Sequence, residues 1–132
     1  MPRSTVSDPA APDPVGPYSH AASGPGELLY VSGQTPIDPA TGALVDGGID
    51  VQTERVFANL ASVLTTSANR GFADVVKVNV YLIDMADFDA MNSVYAKVLS
   101  QPYPARTTVA VAALPLGARV EIEVVAAARA PS

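Results

Sequence analysis

Between Val51 and about Ala68, apolar residues recur at Val56, Leu60, Val63 and Leu64, with Gln52, Glu54, Arg55, Asn59 and Ser62 between them. That is the spacing of a helix with one buried face. Asn69, which tolerates left-handed backbone, and Gly71 give it two stop signals. From Asp74 to Asp84, Val76, Val78, Val80 and Leu82 alternate with Lys77, Asn79 and Tyr81, which predicts a strand with one apolar face. Asp84 can cap a second helix, and Asp87 adds negative charge to its first turn. Phe88, Met91, Tyr95, Val98 and Leu99 form the buried stripe of that helix to about Ser100, before Pro102 and Pro104 stop it.

Glu27 to Gln34 carries a strand signal in Leu-Leu-Tyr-Val that ends at Ser32-Gly33-Gln34, and Pro36, Asp38-Pro39 and Thr41-Gly42 mark turns after it. Arg106 to Leu114 and Arg119 to Ala128 read as strands, and the short turn Pro115-Leu116-Gly117-Ala118 predicts that they form a terminal hairpin. Residues 1–15 hold Pro2, Pro9, Pro12 and Pro14 among Ala, Ser and Asp, which predicts a flexible N-terminal arm with little to bury. Residues 16–130 then make a single α+β domain, a sheet with two helices on one face. Its other face needs a cover, for which oligomerisation is the natural solution.

Composition narrows the chemistry. A chain of 132 residues, 48% hydrophobic and 16% charged, suits one packed domain. The absence of Cys removes disulfides, thiolate metal sites and thiol nucleophiles, and fits a reducing compartment. There is no signal-peptide pattern and no apolar run long enough to span a bilayer, so a cytoplasmic protein without membrane contact is expected. A net charge of −5, with 8 scattered basic residues, opposes binding to a nucleic-acid backbone.

His20 is the only histidine, and neither H-E-x-x-H nor an EF-hand loop occurs, so no metal site is expected. No dinucleotide or Walker fingerprint occurs either, which points to chemistry without a cofactor. Arg106 opens an apolar strand directly after Pro104-Ala105. On pattern alone it can be a fixed functional cation or a strand-edge arginine serving solubility or a salt bridge. Glu121 and Glu123 share one strand face, either as solvated carboxylates or with one of them holding water in a cleft. Tyr18 in Gly16-Pro17-Tyr18-Ser19 can contact a ligand or pin a loop, and Ser32-Gly33 can present backbone N–H groups or end a strand.

Several ordered segments together resemble the RidA (YjgF/YER057c/UK114) family from Val15 to Ala128. They are Val15-Gly16-Pro17-Tyr18-Ser19, Tyr30-Val31-Ser32-Gly33-Gln34, Asp74-Val75-Val76-Lys77-Val78, Met91-Asn92-Ser93-Val94-Tyr95, Pro104-Ala105-Arg106-Thr107-Thr108, and Leu114-Pro115-Leu116-Gly117-Ala118 running into Glu121. The resemblance implies a chorismate-mutase-like fold, related to the ferredoxin-like one, in a homotrimer with clefts between subunits. It further implies cofactor-independent hydrolysis of 2-aminoacrylate and related enamine or imine acids to a 2-oxo acid and ammonia.

By the same resemblance, Arg106 clamps the substrate carboxylate and Glu121 positions the attacking water, with the backbone at Thr108 assisting. Tyr18, Ser32, Gly33 and Asn92 line the pocket. The chain departs from the family pattern at Thr108, where many relatives have Cys, and at His20, where Gln is frequent. The link between Tyr95 and Arg106 is also shorter than in typical members. These departures leave room for a specialised paralogue acting on a larger enamine or imine. A ribonuclease or translation inhibitor and a non-catalytic, chaperone-like binding trimer are the readings outside that class.

Overall fold

The computed structural model of the chain describes residues 3–128. In chain order, β1 (Ser4–Val6) and β2 (Ala21–Ser23) make a small antiparallel ribbon, β3 (Leu29–Gln34) enters the main sheet, and β4 (Ile37–Asp38) and β5 (Ala43–Leu44) pair as a short hairpin. Helix α1 (Ile49–Ala61), β6 (Val75–Leu82), α2 (Phe88–Val98), β7 (Ala105–Ala110) and β8 (Val120–Ala126) follow. The main sheet runs β3-β8-β6-β7, with β6 and β7 parallel and the other neighbours antiparallel. The result is an α+β domain with a mixed sheet and two helices.

The period-two pattern of β6 determines how the layers stack. Val78, Val80 and Leu82 join Val120, Ile122 and Val124 of β8 in a core with Val56, Phe57, Leu60 and Leu64 from α1 and Met91, Val94 and Tyr95 from α2. Both helices thus cover one face. The opposite face carries Tyr30, Ser32, Lys77, Asn79, Tyr81, Glu121 and Glu123, with Tyr30 still 73% exposed.

Several expectations change. The predicted terminal hairpin does not form, because β6 lies between β7 and β8. The α2 crossover makes β6 and β7 parallel neighbours, which leaves the other edge of β6 to β8. The residues between β7 and β8 include the short helical turn Pro115–Gly117, with Leu116 at φ 59°. The first helix passes at Ala61 into a π-helical turn, Ser62–Ser67, before Asn69 adopts the left-handed φ of 55° expected of it. Gln52, expected on the polar side, is buried, and its side-chain oxygen accepts the N–H of Arg119 just before β8. Asp84 caps as expected, accepting from the N–H of Ala86.

The N-terminal expectation also needs correction over part of its length. Residues 1 and 2 lie outside the described residues, but Arg3 is only 5% exposed and β1 is paired with β2. The Arg3 guanidinium donates to the carbonyls of Ser100, Pro102, Phe72, Ala73 and Val75. These carbonyls lie in the helical turn before β6, at the first residue of β6 and in the segment after α2. A planar five-donor cation satisfies them together. Arg3→Ala is expected to lower the unfolding free energy by about 3 kcal/mol, the scale of lost hydrogen bonds to a charged group, in urea titrations followed by circular dichroism.

Candidate active site

Arg106 is the second residue of β7, in register with Val78 of β6 and, across it, Val124 of β8. Its side chain therefore emerges on the helix-covered face, at the sheet's edge strand. It is 8% exposed. The guanidinium carbon stands 4.8 Å from the Tyr95 ring centroid, 5.4 Å from Tyr18 and 5.6 Å from Phe88. One of its terminal nitrogens donates to Asn92 Oδ1 at 2.5 Å. Among the described residues no carboxylate pairs with it.

Burial pushes the Arg106 guanidinium below its ordinary range, and the Tyr95 and Tyr18 hydroxyls oppose that shift. It remains a cation at physiological pH. Burying an unpaired charge costs several kcal/mol, which cation–π contacts of about 0.5–2 kcal/mol each and a charge-assisted hydrogen bond of about 1.5–3 kcal/mol offset. A guanidinium held in this way is chemically suited to receive an anion without first having to be ordered.

The loop from Val15 to Ser19 forms the wall of this pocket. Ser19 N–H donates to Pro104 O, Ser19 Oγ to Tyr103 O, and Ser19 bridges Ala105, so the loop is stitched to the segment that leads into Arg106. Tyr18 OH accepts the N–H of Val15 at 3.2 Å. It therefore pins the loop and also covers the guanidinium. Gly16 is required by close approach, since a Cβ there would lie 2.9 Å from an Arg106 nitrogen and 3.4 Å from Asn92 Nδ2. Thr108, in register with Val80, faces the same side, and its hydroxyl oxygen is buried with no hydrogen-bond partner among the described residues. Val15, Tyr18, Phe88, Arg106 and Thr108 enclose a cavity of about 120 Å³.

The remaining sequence-predicted residues gather elsewhere. Glu121 is in register with Tyr81 and lies on the face away from the helices. The β3–β8 pairing steps from Val31↔Val124 to Gln34↔Ile122, an extra residue that forms a bulge at Ser32-Gly33. A Cβ on Gly33 would collide with the Glu121 carboxylate, which marks how closely the bulge approaches it. Within one chain, then, Tyr18, Asn92, Arg106 and Thr108 form one cluster, and Ser32, Gly33 and Glu121 form another on the opposite sheet face. Phe88, Tyr95 and Gly16 belong to the first cluster although the sequence assigns them no site role. Phe88 and Tyr95 fit the apolar stripe of α2, and their second role as a platform for a cation leaves no trace in the spacing.

No group of three or more His, Asp or Glu among the described residues is placed to hold a metal ion. A larger cavity of about 420 Å³ lies between α1 and the β4 segment and is lined by none of the sequence-predicted site residues.

The mixed four-stranded sheet, the two helices on one face and the buried arginine at the sheet edge define a small α+β domain of the Rid class. Residues 9–128 match the family model described as Endoribonuclease L-PSP. The chain belongs to this family, the RidA or YjgF/YER057c/UK114 family. It is 47% identical over 116 residues to a RutC family protein of Pyrococcus horikoshii, covering 88% of this chain and 90% of that one. It is 42% identical over 124 residues to a 2-iminobutanoate/2-iminopropanoate deaminase of Capra hircus, covering 94% and 89%. Among solved structures, RidA from an Antarctic Psychrobacter superposes with a TM-score of 0.74 at 43% identity, covering 95% of this chain and 99% of that one.

Gly16→Ala is expected to push the guanidinium away from Asn92 and weaken any uptake of a small carboxylate probe at this pocket roughly tenfold, the scale of one charge-assisted hydrogen bond. Calorimetric titration with 2-oxobutanoate measures it, and the urea midpoint should change little because the displaced atoms are side-chain ends.

Proposed function

We propose that this protein hydrolyses enamine and imine acids of the 2-aminoacrylate type to a 2-oxo acid and ammonia, without a cofactor. We propose further that it does so as a chorismate-mutase-like homotrimer with clefts between subunits. The observation that carries the reading is the buried Arg106 cation, which lacks a carboxylate partner among the described residues and borders a small cavity. Relatives about 42% identical that are named 2-iminobutanoate/2-iminopropanoate deaminases support the reaction class. Among the described residues no helix is long and apolar enough to cross a membrane, and the cytoplasm is the proposed site of action.

In this reading the substrate carboxylate binds Arg106 through two parallel N–H···O bonds, while Tyr18 and Phe88 restrict its plane. The enamine takes up a proton at C3 to become the iminium acid, whose C2 is electrophilic. A water held by Glu121 adds its oxygen to C2, a proton moves to nitrogen, and the C–N bond breaks to release ammonia and leave the 2-oxo acid. Orientation and a held water meet most of the demand of this reaction. Because Glu121 and Arg106 occupy opposite faces of one sheet, the reading requires the Glu121 cluster of one copy to meet the Arg106 cluster of another. The uncovered polar face bearing Glu121 is the surface available for that contact.

Generating 2-aminoacrylate with a serine dehydratase and following imine decay tests the reading. The wild type should accelerate decay. Arg106→Ala and Glu121→Gln should each lower kcat/KM by roughly a hundredfold or more, the scale of a missing orienting or general-base group. Decay equal with and without the wild-type protein rejects the proposal.

A further inference from the structure

The larger cavity is formed by parts of the fold that the deaminase reading leaves unused. Gln34, Thr35, Ile37 and Pro39 line one side, and Arg55, Asn59, Ser62 and Val63 of α1 and its continuation line the other. Its volume of about 420 Å³ falls within the range of roughly 300–1,000 Å³ typical of small-molecule sites, whereas the Arg106 pocket of a single chain falls below it.

The polar groups at this cavity are ordered in a chain. Asn59 Nδ2 donates to the carbonyls of both Thr35 and Ile37, at 3.1 and 3.0 Å. These bonds occupy both amide hydrogens and orient Asn59 Oδ1, which then accepts from Arg55 Nε and a terminal nitrogen at 3.2 and 2.9 Å. The guanidinium is thereby held by a neutral partner, its other N–H groups remain uncommitted, and among the described residues no carboxylate pairs with it. A second, independent feature lies at the same place. α1 gives way to a π-helical turn at Ser62, and Ser62 and Val63 are cavity residues. π-helical turns are rare, and this one closes α1 against the cavity, where its wider turn sets Ser62 and Val63 on the wall.

We propose that this cleft is a second binding site, for a small organic monocarboxylate whose carboxylate meets Arg55 and whose apolar body lies against Ile37, Pro39 and Val63. One guanidinium with a neutral partner supplies donors for a single carboxylate, whereas a phosphate dianion usually requires clustered cations. The apolar wall selects for a carbon skeleton and against a bare inorganic ion. The site does not depend on the deaminase reading. Gln34 and Thr35 directly follow the Ser32-Gly33 bulge, so occupancy would also stiffen the strand that abuts Glu121.

Benzoate is the probe, titrated into ¹⁵N-labelled full-length protein with amide shifts followed by NMR. The proposal predicts saturable shifts at Thr35, Ile37, Ser62 and Val63 that persist in Arg106→Ala or Arg106→Lys. It predicts that Arg55→Gln weakens them roughly tenfold or more, as removal of a charge-assisted hydrogen bond does. Asn59 keeps its carbonyl partners in that variant; should Arg55→Gln not fold, Arg55→Lys keeps the charge and removes the fork, and a weaker, still saturable response is expected. No saturable shift at these amides, shifts unchanged by the Arg55 variants, or shifts abolished by both Arg106 variants would each overturn the proposal. A failed deaminase assay would leave it standing.

Discussion

The guanidinium of Arg106, buried among three aromatic rings and, among the described residues, hydrogen-bonded to an amide oxygen alone, constrains much of the molecule. Keeping an uncompensated charge out of water costs several kcal/mol, so the elements around it must supply close, oriented contacts. Helix α2 contributes Phe88, Asn92 and Tyr95 at helical spacing, which places all of them on the side facing β7. The Gly16–Ser19 loop closes over the top and is bound to the strand entry by Ser19. Arg3 fixes the segment after α2 through the carbonyls of Ser100 and Pro102. Burial also pushes the Tyr95 hydroxyl upward in pKa, which keeps it a neutral phenol against which the cation can rest.

The second constraint is the pleat. Arg106 and Thr108 share the helix-facing side with Val78 and Val80, while Glu121 shares the other side with Tyr81. No side-chain rotation brings a cation and a carboxylate together through a packed sheet. The two clusters therefore do not meet within one chain. A reaction that needs both becomes a property of an assembly, consistent with an exposed sheet face that carries polar and aromatic residues suited to contact.

Much of this is legible in the sequence, for physical reasons that differ by element. The strand β6 and both helices declare themselves through period two and period 3.6, because burial on one face imposes those periods. Asn69 and Asp84 announce helix boundaries through backbone and capping preferences. The candidate site residues Arg106, Tyr18, Asn92 and Glu121 all fall in ordered motifs, of which the structure gathers the first three and leaves Glu121 on the other sheet face. Strand adjacency is not carried by any local period, so the turn at Pro115–Gly117 predicts a β7–β8 hairpin where β6 in fact intervenes. Arg3 sits among Pro, Ser and Asp, and its burial involves carbonyls 69 to 99 residues further along the chain. The division of the site between two faces follows from register across several strands, which a motif does not encode.

The proposed reaction requires Arg106 from one copy and Glu121 from another for each catalytic event. Subunit complementation is the direct test. Arg106→Ala and Glu121→Gln proteins, each inactive alone, are mixed in equal amounts, dissociated, reassembled, and assayed for 2-aminoacrylate-dependent imine decay. Random assembly in a closed cyclic oligomer gives intact pairings at about one quarter of the interfaces, and activity should recover to about that fraction of wild type. Reassembled mixed oligomers that remain as inactive as either parent would contradict a site shared between copies.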